Sequence, residues 1–160
     1  MAPLRWRRLT DGERDLAQEV FGSALDAARI RILSLPAWPR PFVPNGRFVV
    51  WPAASALADF AAAPVWLRSV LVHELVHAWQ AQNGVFLPLA KLKAGDGRGA
   101  YAYDLGDGRP FAALNIEQQA MVVQHAYLAR EGGSAPYAAP RYADYMGDWT
   151  NAVRRKPRRI

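Results

Sequence analysis

Two histidines four residues apart, His73 and His77, with Glu74 directly after the first, make the segment His73-Glu74-Leu75-Val76-His77. On a helix, positions i and i+4 lie one turn apart on one face, so both imidazoles can reach one ion. Zinc accepts neutral imidazole at about 2.0–2.1 Å, which that spacing permits. Glu74 sits beside the same face and is placed to act as a general base, taking a proton from water held by the ion without ligating it. Zinc lowers the pKa of such water toward ~7, within reach of a carboxylate. The chain has three histidines, five glutamates and no cysteine. Thiolate metal sites, disulfides and a cysteine nucleophile are therefore excluded, and any metal rests on His, Asp or Glu. The plainer reading is a helix with two satisfied histidines, but His and Glu among Val70, Leu71, Val72, Val76 and Trp79 are costly to bury without a partner.

Zinc that does chemistry takes a third protein ligand. No further histidine follows before Gly84, a helix stop. Glu117, in Asn115-Ile116-Glu117-Gln118-Gln119-Ala120, lies 40 residues beyond His77, enough for a turn and an antiparallel helix return. Its neighbours Met121, Val122, Val123 and Leu128 predict a core helix, where a carboxylate needs a compensating cation. The alternative is a first-turn glutamate favoured by the helix dipole. Hydrolysis of an acyl bond also needs a donor to the developing oxyanion, and Tyr101, Tyr103 and His125 are the candidates. His125 is eight residues past Glu117, about 12 Å along a helix axis, and reads better as a partly buried core histidine.

The elements that must position these groups follow from pattern. Thr10 and Glu13 have capping-box spacing, and Leu16, Val20, Leu25 and Ala28 suit a helix over residues 11–27. Residues 29–33 alternate and are β-branched, a strand. Pro36, Pro39, Pro41 and Pro44 predict an extended loop, Asn45-Gly46 a turn, and residues 47–51 a second strand ended by Pro52. Residues 55–62 read as a short helix. Helices over 64–82 and 115–131 are the long ones, with a glycine- and aspartate-rich loop or hairpin over 91–110 and a last short helix over 137–151. The expected fold is one small α+β domain, with a short antiparallel sheet packed on two core helices.

Net charge is +6, yet Arg5, Arg7 and Arg8 with Arg154, Arg155, Lys156, Arg158 and Arg159 carry +8, leaving about −2 for residues 9–153. The basic character therefore belongs to an arm over residues 1–10 and a tail over 152–160. Solvated ends are the ordinary reading, and nucleic-acid binding the lesser one. Residues 9–19 are polar where a signal peptide would be apolar, and no apolar run is long enough to cross a membrane. This predicts synthesis in the cytoplasm, with any export left to a machine that needs no cleaved signal.

Two histidines on one helix and a glutamate on the next resemble the gluzincin metallopeptidases. More narrowly, the chain resembles the peptidase family associated with contractile injection systems and polymorphic toxins, some of whose members are called Vgr-related proteins. The resemblance spans roughly residues 20–131. It rests on Phe21-Gly22, the strands at 29–32 and 48–51, His73 to Gln80, and Glu117 with Ala120. It implies a zincin-like domain over 11–151, Zn²⁺ on His73, His77 and Glu117, and Glu74 as general base in a metalloendopeptidase acting on a peptide or protein. Thermolysin-like members carry an aspartate where this chain has Met121, so orienting the first histidine falls to Gln124, Asn115 or a backbone carbonyl. The rival expectation is a non-catalytic, zinc-stabilised module carried by a secretion or injection machine. The short chain favours it; Glu74, which a structural site does not need, argues against it.

Overall fold

Thr10 and Glu13 close the capping box that their spacing predicts: Thr10 Oγ1 accepts from the Glu13 amide at 3.1 Å, and Glu13 Oε2 accepts from the Thr10 amide at 2.9 Å. The helix that starts there, α1 (Asp11–Phe21), is shorter than residues 11–27; two 3₁₀ turns complete that stretch. This computed structural model describes residues 5–147, so the tail at 152–160 lies outside the described residues, as does the end of the helix expected over 137–151. What is described of that helix is α6 (Ala139–Tyr145).

Four strands form one sheet in the order β1-β2-β4-β3, with β1 (Arg5–Arg8), β2 (Arg31–Leu35), β3 (Phe42–Asn45) and β4 (Phe48–Pro52). The fold is α+β as expected, but the sheet is mixed and not antiparallel throughout. The two strands read from sequence, β2 and β4, pair in parallel, with Ile32 opposite Val49. The Asn45-Gly46 turn folds β4 back between its two predecessors, so β2 and β3, neighbours in sequence, are not neighbours in the sheet. Asn45 Oδ1 accepts from the Arg47 amide at 2.9 Å, the usual side-chain closure of such a turn. A Cβ on Gly46 would stand 2.8 Å from Gln82 Cγ, and Gln82 Nε2 donates to the Gly46 carbonyl at 2.8 Å; only glycine lets the hairpin sit so close to the helix end.

That helix, α2 (Val65–Gln82), is buried all round its middle, from Leu71 to Ala78, while Trp66 of its first turn is exposed. Leu71, Val72, Leu75 and Val76 pack with Ile32, Val49 and Trp51 of the sheet and with Ala120, Val122 and Val123 of α5 (Ile116–Arg130). Two further helices, α3 (Leu87–Ala94) and α4 (Arg98–Tyr101), occupy part of the 91–110 stretch expected to be a loop or hairpin. The helix expected over 55–62 does not form. There Glu13 Oε1 accepts from the Phe60 amide at 2.8 Å and Asp59 Oδ1 from the Ala61 amide at 2.9 Å, side-chain bonds that hold the backbone in turns. No described helix is long and apolar enough to cross a membrane.

Candidate metal centre and cavity

His73 and His77 project from α2 toward α5, which brings Glu117 opposite them. His73 Nε2 and His77 Nε2 are 3.2 Å apart, and Glu117 Oε2 is 3.3 Å from each. The edges of a tetrahedron around an ion with bonds of about 2.0 Å are about 3.3 Å, so this triangle has the dimensions of three zinc ligands. Among the described residues no other cluster of metal-ligating side chains is so arranged.

The hydrogen bonds behind the imidazoles decide where their protons are. Gln80 Nε2 donates to the Ile116 carbonyl at 3.0 Å and to Gln119 Oε1 at 2.9 Å, so its Oε1, 2.8 Å from His77 Nδ1, must accept. Gln124 Oε1 lies 3.0 Å from His73 Nδ1, while its Nε2 is turned to Ser69 Oγ, whose proton goes to the Trp66 carbonyl. Each neutral imidazole therefore carries its proton on Nδ1 and points a bare Nε2 at the carboxylate. Three acceptors at this spacing repel one another unless a cation or a proton lies between them. The acid–base balance reflects this: burial alone would lower the His77 imidazolium, but the Glu117 hydrogen bond and the nearby Glu74 charge outweigh it and raise its pKa.

Glu117 divides its oxygens. Oε2 faces the histidines, and Oε1 accepts from Lys91 Nζ at 2.5 Å. Burial would raise this carboxyl, but its bonds to His73, His77 and Lys91 hold it far below the usual carboxylate range. Lys91 also donates to the Tyr101 hydroxyl at 2.8 Å. Burial would lower the Lys91 ammonium, yet Glu117 and Tyr101 keep it above its ordinary value. Glu74 differs from Glu117: burial raises its pKa, opposed less strongly by His73 and His77. Its Oε2 is buried without a hydrogen-bond partner among the described residues. These groups line a cavity of about 600 Å³, whose apolar walls are Phe42 and Val43 of β3, Val70 of α2, and Leu87 and Pro88 of α3.

The fold thus gathers His73, Glu74, His77, Glu117, Gln124 and Tyr101 at one cavity. Gln124, one turn beyond Met121, makes the contact to His73 that methionine cannot. Asn115 is elsewhere: it caps α5, accepting from the Gln118 amide at 2.8 Å and donating to the Ala100 carbonyl at 3.1 Å. Tyr103 and His125 do not line the cavity. The Tyr103 hydroxyl is 2.7 Å from His125 Nδ1 and 2.6 Å from the Tyr142 hydroxyl, an arrangement that ties α6 to α5. Burial lowers the His125 pKa, as suits a core histidine. Gln80 and Lys91 were not anticipated. Gln80, three residues after His77 on the same helix, had a signal in its spacing; Lys91 had none.

In sequence and fold the chain is similar to a known effector domain. The structure matches the effector domain of Pseudomonas aeruginosa VgrG2b with a TM-score of 0.70 and 27% sequence identity, covering 88% of this chain and 81% of that one. The type VI secretion system spike protein VgrG2b of P. aeruginosa is 30% identical over 152 residues, which is 88% of this chain and 15% of that protein. The chain therefore spans about 15% of the length of the spike protein it matches. No family model matches it.

Proposed function

We propose that this chain is a domain delivered or carried by a type VI secretion machine, and that its cavity hydrolyses peptide bonds with Zn²⁺ on His73, His77 and Glu117 and with Glu74 as general base. The observation that carries this reading is the convergence of three proton-free acceptors, 3.2–3.3 Å apart, beside the unpartnered Oε2 of buried Glu74. Bound there, zinc would lower the pKa of the water it holds toward ~7 and act as a Lewis acid on a carbonyl. The other roles fall to the chain. Glu74, made more basic by burial, takes the proton from water and returns it to the leaving amine. Lys91 occupies a lone pair of the Tyr101 hydroxyl, leaving that O–H free to donate to the oxygen on which charge develops. Strand β3 is an edge of the sheet and a wall of the cavity, so an extended peptide can lie along it.

A second reading keeps the zinc and the secretion machine but not the catalysis. An amide, Gln124, stands behind His73 and supplies no charge to strengthen the ligand, as a non-catalytic module would tolerate. Elemental analysis tests what the two readings share: about one zinc per chain in the wild type, and none in His77→Ala or Glu117→Ala. Wild-type protein that takes up no zinc would overturn both. Cleavage of a peptide library by the zinc-loaded chain separates them, since the second reading expects none.

Zinc binding is also expected to depend on pH in a set direction. Zinc needs the bare Nε2 of His77, and the raised pKa means that a proton begins to compete above the ordinary value of 6.5. Affinity should fall about tenfold per pH unit below that raised pKa for each proton displaced. Titration with a zinc indicator at several pH values checks this; an affinity flat through that range would remove His77 from the ligand set.

A further inference from the structure

Exposed apolar side chains gather on one side of the cavity mouth. α3 is apolar on nearly every side but buries only one: Leu87 is covered, while Phe86, Leu89 and Leu92 are 71%, 48% and 79% exposed. Spaced by three residues, these lie along one outer face. Across the mouth Trp38, 45% exposed, packs on Phe42 of β3 at 5.2 Å between ring centroids. Asp96 joins the two walls, 3.4 Å from Arg40 Nη2 and 3.3 Å from Lys91 Nζ. Arg40, Lys93 and Arg98 are exposed around this face, and Asp96 is the acid among them, already paired. Trp6 and Trp66 are also exposed, but each stands alone on another element.

We propose that this face docks on an anionic lipid surface, with Phe86, Leu89, Leu92 and Trp38 entering the headgroup boundary and Arg40, Lys93 and Arg98 meeting lipid phosphates. Leucine and aromatic side chains flanked by Lys and Arg are what an interfacial helix uses. The side chains protrude and do not line a groove; a fluid surface accepts such protrusions, whereas a peptide would leave most of their area in water. A second copy on the same face would bring one basic rim against another. The inference does not rest on the metal reading, and it turns the mouth of the cavity toward the lipid surface, where its substrate would then be met.

The test is co-sedimentation of the full chain with vesicles of phosphatidylcholine containing about 30% phosphatidylglycerol, against phosphatidylcholine alone. Wild type should bind the mixed vesicles, and the pure ones at least about tenfold less. The double variant Phe86→Ser/Leu92→Ser, at exposed positions that leave the core untouched, should melt like wild type and bind the mixed vesicles at least about tenfold more weakly. The metal-free chain should behave in the same way, which keeps this result separate from the fate of the zinc reading. Wild type that ignores both vesicles would overturn the proposal. A double variant binding as wild type does would overturn it too, assigning the attraction to the basic ends. So would a wild-type dimer that this variant abolishes, which would make the face a contact between copies or with another protein.

Discussion

Glu74→Gln is expected to retain zinc and the wild-type melting temperature while losing about 10²- to 10⁴-fold in peptide cleavage, the range for removal of a general base. The substitution keeps the shape of the side chain and removes its charge. Glu74 is outside the ligand triangle, so the ion should not be lost with it. Its Oε2 is buried and unpartnered, so an uncharged amide there is no harder to bury than the carboxylate it replaces. A variant that cleaves like wild type would dismiss Glu74 as the base. A variant that loses zinc would mean that Glu74 helps to hold the ion. The measurement is a paired one, metal content and initial rate on the same preparation, because a fall in rate alone would not separate base from ligand. Should wild type itself cleave nothing, the non-catalytic reading stands and Glu74 becomes a buried carboxylate without a use.

The residues facing the cavity were readable where a local pattern announced them and unreadable where the partner came from far along the chain. The four-residue spacing of His73 and His77, and the apolar run around them, describe one helix face, and α2 presents that face. Glu117 was reachable because few acids exist in the chain and one lay on a second core helix. Helical periodicity gives the side a residue faces, not what it meets, so the meeting of Lys91 with Glu117 across 26 residues left no trace in sequence. Of the elements that escaped, three did so for distinct reasons. β3 carries Pro44 within it and Pro41 just before it, and proline is tolerated in a strand only at an edge, where β3 lies. β1 is nearly all arginine, a composition that protects an edge but reads as a solvated arm. α3 follows Gly84 so soon that the helix stop masked a new start, with Pro88 in its first turn. Strand direction was the remaining gap: alternation assigns faces, while the parallel pairing of β2 and β4 depends on where the intervening hairpin inserts.

Glu13→Ala should cost about 3–5 kcal/mol, the largest stability loss expected here from one substitution, and lower the melting temperature by roughly 10 °C. The Glu13 carboxylate is fully buried and accepts four hydrogen bonds. Arg7 Nη1 and Nη2 reach it at 2.7 Å each, the Phe60 amide at 2.8 Å and the Thr10 amide at 2.9 Å. One side chain thereby joins β1, the start of α1 and the turn that leads into α2. Alanine would leave the Arg7 guanidinium, only 27% exposed, without its counter-ion and two backbone amides without an acceptor. The contrast is Asp11, whose pairing with Arg14 is in solvent, with Asp11 89% exposed. Asp11→Ala should change stability by no more than about 0.5 kcal/mol, the scale of an exposed pair on a helix. Denaturant unfolding of both variants beside wild type makes the comparison. If Glu13→Ala lost no more than Asp11→Ala, the four-way carboxylate would not be what fastens β1 to the fold. The path from the first strand to α2 would then run through the apolar core alone.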